Sequence, residues 1–268
     1  MVMCRVYSVT RHGYNAWVRR GKSLRCYEDD SLYETIFRIW KSSGKLYGSP
    51  KITEAMRAEG FRIGKKRVAR IMRENGLKAR VATLYKATPG LEAFVTSIPN
   101  RQLKVIADEK NKVWVGDITY LKVNDVWKYL AVVMDKCSRK IIGWAFGENR
   151  DATLTLKALN YALRERSPTA GLIFHSDRGI EYRAFAYSKR LTNRGITQSM
   201  NRPRKMNDNA HMESFFHNFK AERYHGRTFT CEEKLKGVIV KYIGFYNNRR
   251  LHSSIGYLTP NQFECKIA

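Results

Sequence analysis

The chain has 268 residues and carries 50 Lys and Arg against 24 Asp and Glu, a formal charge of +26. That excess is larger than solubility requires and points to a polyanionic partner, while the length suits one sizeable core plus a smaller module. No apolar run is long enough to span a membrane and Met1–Thr10 has Arg5 with no apolar run after it, which argues against membrane and secreted classes and for a cytoplasmic protein. Five cysteines without close pairs fit reduced thiols and exclude a zinc ribbon.

Residues 1–28 read as an N-terminal helical segment, with Gly13 to Arg20 forming a short turn and helix anchored by aromatic side chains. Residues 29–80 read as three helices. Leu32, Ile36 and Ile39 form the first apolar stripe, and Ser49-Pro50 supplies an N-cap and a first-turn proline for a helix carrying Ile52, Ala55 and Met56. A third helix starts near Gly64, turns Val68, Ile71 and Met72 inward, and stops at Gly76. Between Phe61 and Arg80 lie Arg62, Lys65, Lys66, Arg67, Arg70, Arg73, Lys78 and Arg80 against Glu74 alone, which suggests a DNA-binding helix-turn-helix. The alternative is a three-helix packing unit whose charges are solvated. Residues 81–110 have weak periodicity and the breakers Pro89-Gly90 and Ile98-Pro99, and read as a linker.

A core over 111–225 follows. Val113 to Leu121 reads as a strand, joined through Asn124-Asp125 to Val126–Met134 and through Ser138-Arg139 to Lys140–Phe146. Asp151 caps a helix through Arg166 with Leu156, Leu159 and Leu163 inward; Leu172–Phe174 is a fourth strand, Tyr182–Asn193 a helix, and Ile196–Met200 a fifth strand. Glu213–Arg223 is helical, with Phe216, Phe219 and Lys220 at helical offsets. In a C-terminal extension over 226–268, Thr230-Cys231-Glu232-Glu233 reads as the capping box of a helix running to Tyr246. After it, Arg249, Arg250 and His252 gather beside Tyr246, a unit that either contacts phosphate or buttresses the core.

Three acids occupy three distinct settings. Asp117 is a charge inside an apolar strand, which requires a cation or a hydrogen-bonded base nearby. Asp177 falls just past a buried strand and before Gly179, at the strand end where α/β sheets place ligands. Glu213 is borne on a helix after the polar loop 201–209. Carboxylates without a His or Cys cluster make an all-oxygen site suited to Mg²⁺ or Mn²⁺. Two such ions roughly 3.5–4 Å apart activate an oxygen nucleophile and stabilise the leaving oxygen in phosphodiester chemistry. Among the other acids, Asp135 reads as an ion-pair or turn residue beside Arg139, Asp208 as the cap of the Glu213 helix with a lesser chance of touching the site, and Asp108 and Glu109 as solvated. His175 reads as a packing residue or as one that orients a carboxylate.

The Trp114-x-x-Asp117-Ile118-Thr119-Tyr120 strand, the His175-Ser176-Asp177-Arg178-Gly179 turn, and Asp208-Asn209-Ala210-x-x-Glu213-Ser214-Phe215-Phe216 with Lys220 seven residues after Glu213 form a joint pattern. It resembles the DDE transposase and retroviral integrase superfamily, and within it the bacterial insertion-sequence transposases whose catalytic part comes from a second reading frame. The resemblance implies an α/β, ribonuclease H-like mixed sheet flanked by helices and preceded by a small all-α helix-turn-helix module. Its first strand would bear the first Asp and its fourth strand the second. It implies metal-dependent cleavage at insertion-sequence ends and transfer of the 3′-hydroxyl end into target DNA, with Asp117, Asp177 and Glu213 holding two Mg²⁺ or Mn²⁺ ions. It also implies a DNA contact at Lys220, double-stranded DNA ends and target as partners, a homo-oligomer on DNA and an upstream-frame DNA-binding partner. The alternatives are a ribonuclease H-like nuclease without strand transfer, separated by a joining assay, and an inactive DNA-binding remnant, which the presence of all three acids argues against.

Overall fold

A computed structural model describes residues 9–20, 23–79, 98–203 and 205–267, so Arg80 of the expected helix-turn-helix and the 81–97 part of the expected linker lie outside the described residues. The chain divides into two compact units, 1–80 and 81–268. The first is all helical. Helix α1, Arg11–Arg19, is capped by the Thr10 hydroxyl, which accepts from Gly13 N at 3.0 Å. It buries none of its residues, and Trp17 is 68% exposed, so the expected aromatic anchor lies at the surface instead.

Helices α2 (Leu24–Ser42), α3 (Ser49–Ala58) and α4 (Lys65–Glu74) bury Ile36 and Ile39, Ile52 and Met56, and Val68, Ile71 and Met72 respectively. The cap of α3 is Gly48. Ser49, expected to cap, is the first helical residue, and its carbonyl accepts from the Thr53 hydroxyl at 2.6 Å. Gly76 closes α4 at φ +68°, a backbone that disfavours side chains, with Leu77 N donating to Met72 O at 2.8 Å.

The second unit is built on a five-stranded mixed sheet, β1 Val113–Val123, β2 Val126–Asp135, β3 Ile141–Gly147, β4 Ile173–Ser176 and β5 Thr197–Met200. Their order is β3-β2-β1-β4-β5. The first three strands form an antiparallel meander, and β4 and β5 join parallel to β1. Asn124 and Asp125 both have positive φ, 46° and 60°, as a two-residue hairpin matching the strand twist requires.

Alternation in β1 divides the core. Val113, Val115, Leu121 and Val123 face Met212, Phe215, Phe216 and Phe219 of helix α8 (Ala210–Phe219), and Leu235, Ile239 and Tyr242 of α9 (Glu232–Asn248). Trp114 on the opposite face packs with Ala158, Leu159 and Ala162 of α5 (Ala152–Arg166). At Gly143 an added Cβ would lie 2.3 Å from Ala158 O, so the glycine permits this close helix approach.

Three expectations change. Residues 98–110, expected within the linker, pack on the sheet unit: Gln102 is buried and donates to Asp208 O at 2.6 Å, and Val105 and Ala107 lean on the α8 side of the core. The single helix expected at 182–193 is broken at Ala184 into α6 (Ile180–Arg183) and α7 (Phe185–Thr192). The break lets Tyr182 and Tyr187 both pack against Phe174, while the freed Tyr182 carbonyl accepts from Gln198 at 2.6 Å. The capping box at Thr230 does not form: the helix starts at Glu232 with Cys231 as its cap, without a side-chain bond, so Thr230 stands one residue ahead of the cap. A capping box does form at Thr259 and Gln262, opening helix α10, Pro260–Lys266.

Candidate active site

Strand register brings the two aspartates together. Val115 on β1 is level with His175 on the parallel neighbour β4, so Asp117 and Asp177 stand two residues further along each strand, where β4 ends. One Asp117 oxygen, Oδ1, accepts from Ile118 N at 2.8 Å. Burial, then the charge of Asp177, raises the Asp117 pKa from 3.8 to about 8, against the pull of Arg150. Asp177 Oδ1 accepts from Gly179 N at 3.0 Å, and burial raises its pKa as well. Two desolvated carboxyls side by side resist ionising together and form a site selective for added positive charge.

A local cation is already present. Arg150, in the β3–α5 connection, lies with Nη2 4.0 Å from Asp177 Oδ2 and grips Glu181 through Nε at 2.9 Å and Nη2 at 2.8 Å. The Glu181 side chain is only 1% exposed, and its Oε2 is buried with no hydrogen-bond partner. Gly179 makes room for this acid, since an added Cβ would sit 2.5 Å from Glu181 Oε1. Neither Arg150 nor Glu181 was singled out from the sequence. Their only local signals are an arginine before the Asp151 cap and an acid two residues past Gly179.

Glu213 enters from the first turn of α8, exposed on the side of the helix away from the buried phenylalanines. Burial raises its pKa, and its charge contributes to the upward shift of Asp117. The start of α8 is pinned beside that acid by Asn209, whose Nδ2 donates to Gly116 O at 3.1 Å. Among the described residues, no three His, Cys, Asp or Glu side chains converge closely enough to hold a metal ion as they stand. The donor chemistry nevertheless fits a hard divalent cation: two half-buried strand carboxylates that repel each other, and a helix acid within their field.

Lys220 lies where α8 passes into a π-helical turn, Lys220–Tyr224. Its ammonium is 4.2 Å from the centre of the Tyr120 ring; burial lowers its pKa and the charge of Asp117 opposes that shift. The π turn buries Glu222, which accepts from Tyr242 OH at 3.0 Å and pairs with Arg250 at 2.9 Å. Arg250 is therefore buried and buttresses the core, which corrects its expected DNA contact, whereas Arg249 is exposed.

Three further expectations are corrected. His175 bonds Ser199 Oγ through Nδ1 at 2.9 Å and Asn201 Oδ1 through Nε2 at 2.7 Å, with its pKa lowered by burial to about 4. It is a neutral clamp between β4 and β5 and orients no carboxylate. Asp208 accepts from Arg202 Nη2 and Asn100 Nδ2, both at 2.8 Å, tying two loops together; Asn209 takes the cap position. Arg67 and Arg70 in α4 are engaged by acids: Arg67 bonds Asp29 at 2.7 Å and Glu28 at 2.8 Å, and Arg70 bonds Asp29 and, at 2.8 Å, Glu74. They fasten α4 to α2, while Arg62, Lys65 and Lys66 are exposed, as are Arg73 and Lys78. Asp135 accepts from Asn111 N at 2.7 Å and Cys137 N at 2.9 Å, the turn role among its two expected ones.

Comparison with known proteins agrees with this layout. Residues 28–83 match the family described as HTH-like domain, and residues 107–206 and 194–260 match two families described as Integrase core domain. The transposase InsF for insertion sequence IS3A of Escherichia coli (strain K12) is 34% identical over 98% of this chain and 93% of its own length. The uncharacterized 31 kDa protein of insertion element IS600 from Shigella sonnei is 35% identical over 98% of both chains. Among solved structures, the HTLV-2 integrase catalytic core domain in complex with magnesium is 16% identical with a TM-score of 0.45, covering 57% of this chain and 96% of that one. With a relative this similar along nearly its full length and an HTH-like unit ahead of an integrase core, the chain belongs to the IS3 family of insertion-sequence transposases.

Proposed function

We propose that Asp117, Asp177 and Glu213 are the catalytic carboxylates of this transposase and hold two divalent ions, Mg²⁺ or Mn²⁺. The reading rests on one observation above the others. The β1–β4 register sets two desolvated aspartates side by side, with a pKa of about 8 at Asp117 in the absence of metal. Bound ions would activate the attacking water or 3′-hydroxyl and stabilise the leaving oxygen. The chain's own residues supply position. Ile118 N holds one Asp117 oxygen and Gly179 N holds one of Asp177, so neither bond occupies the second oxygen of its carboxylate. Asn209 fixes the helix that carries Glu213.

The substrate is double-stranded DNA, at the element's ends and in the target. Arg62, Lys65 and Lys66 on the HTH-like unit, with Lys220 and Arg249 on the core unit, offer exposed or half-exposed cations for its phosphates. An element has two ends, so copies of the chain are proposed to assemble on DNA, possessing one such site each. Among the described residues no helix is long and apolar enough to cross a membrane.

The test is cleavage and strand transfer on labelled element ends with Mg²⁺. Asp117→Asn, Asp177→Asn and Glu213→Gln should each lower both steps by about 10²–10³-fold or more, the scale on which one group stabilising developing charge acts, with DNA binding retained. Near wild-type cleavage by any one variant removes that residue from the site. Hydrolysis without joining by the wild-type protein would support the nuclease alternative.

A further inference from the structure

Beyond Asp117, β1 runs on to the hairpin without β4 beside it, since β4 pairs only with Val113–Val115. Two large aromatic side chains face solvent here, Tyr120 on β1 at 57% and Trp127 at the start of β2 at 46% exposure. They are diagonal neighbours across the hairpin, Tyr120 being level with Tyr129 and Trp127 with Lys122, and their rings meet edge to face at 5.1 Å. Each ring has its own cation. Lys122 Nζ is 5.0 Å from the centre of Trp127, and Lys220 Nζ is 4.2 Å from that of Tyr120. Tyr120 follows Asp117 by three residues on β1, and Lys220 follows Glu213 by seven along α8 and its π turn, so both elements that carry the carboxylates lead to the aromatic pair.

We propose that Tyr120 and Trp127 form a stacking platform for an unpaired DNA base next to the scissile phosphate, with Lys122 and Lys220 taking the adjoining phosphates. The inference rests on the carboxylate site reading above, which requires DNA to run past Asp117. Base faces are hidden inside a duplex, so a ring platform gains contact only from a base that has left the stack. Aromatic rings interleaved with cations are the chemistry that holds such strands. A protein partner would gain little from a rim of lysines in a chain of charge +26, whereas a polyanion gains from both.

The experiment uses the full chain with chelator present, so that nothing is cleaved. Binding is measured for a fluorescent oligothymidine, a blunt duplex, and the same duplex ending in an unpaired 2-aminopurine. Trp127→Leu and Tyr120→Leu keep apolar bulk without a ring face and are expected to weaken oligothymidine binding by about 5- to 150-fold each. They should also abolish the quenching of the unpaired 2-aminopurine and leave blunt-duplex affinity unchanged; Trp127→Phe should retain most of the single-strand binding. Equal oligothymidine affinity in wild type and Trp127→Leu overturns the proposal. Parallel loss on blunt duplex and single strand also overturns it, since that outcome describes a general DNA surface. Because metal and cleavage take no part, such a failure leaves the carboxylate assignment to its own cleavage assay.

Discussion

The two halves of the active site handle charge in opposite ways. The strand half sets two half-buried aspartates, Asp117 and Asp177, side by side next to Arg150 and the buried Glu181, and desolvation raises both aspartate pKa values. The helix half presents two groups of opposite charge, Glu213 from α8 and Lys220 from the π turn after it, with Glu213 exposed. The contrast teaches where the site stores unfavourable energy. Buried like charges are costly in a metal-free protein and become useful once a cation is supplied, so the strand half is shaped to bind positive charge. The helix half has little such strain and can adjust its side chains to what the strand half has bound.

Substitutions can sharpen that contrast, and the largest effect falls at Asp117. A carboxyl whose folded pKa lies above its unfolded value contributes fully below the unfolded value and loses that contribution as pH rises through the folded one. For Asp117 the window runs from 3.8 to about 8. Metal-free Asp117→Asn should therefore melt about 5 °C or more above wild type at pH values beyond that window, with the advantage gone below it. Thermal melts in chelator across pH check this; a constant difference would show that Asp117 is not strained. Glu213→Gln in the same series should stay within about 2 °C of wild type throughout.

Removing the cation from the strand half should act the other way. Arg150→Gln leaves Glu181 buried without its ion pair and Asp177 without its neighbouring charge, lowering the metal-free melting temperature by about 2–6 °C. The half-exposure of Arg150 keeps that loss moderate. Added Mn²⁺ should restore part of it, and a melt indifferent to metal would break the account of Arg150 as a resident counter-charge. The smallest effect lies on the helix side. Lys220→Ala should leave melting nearly unchanged while reducing the slope of log affinity for the DNA end against log salt by about one, as loss of one phosphate contact does. An unaltered slope would reduce Lys220 to a ring contact with Tyr120.

Much of this architecture is legible in the sequence wherever cause is local. Alternation in Val113–Val123, the Asn124-Asp125 turn and the Asp151 cap give the first strands and the helix after them, and the settings of Asp117, Asp177 and Glu213 follow from those elements. What escapes is set by partners distant along the chain. Arg67 and Arg70 read as free cations because Glu28 and Asp29, which engage them, lie 38 to 41 residues away. Arg250 reads as a phosphate contact because its partner Glu222 is turned inward only by the π-helical segment. Arg150 and Glu181 escape for the same reason, as only the packing of α6 beneath the β3–α5 connection makes them a pair.

The central claim is that the strand carboxylates form a site for a divalent cation, and calorimetric titration of Mn²⁺ into the full chain tests it most directly. Wild-type protein should bind Mn²⁺ with affinity that rises as pH increases through about 8, where Asp117 gives up its proton. Asp117→Asn and Asp177→Asn should lose that binding, and Glu213→Gln should weaken it. Binding by Asp117→Asn with wild-type affinity and wild-type pH dependence would contradict the claim.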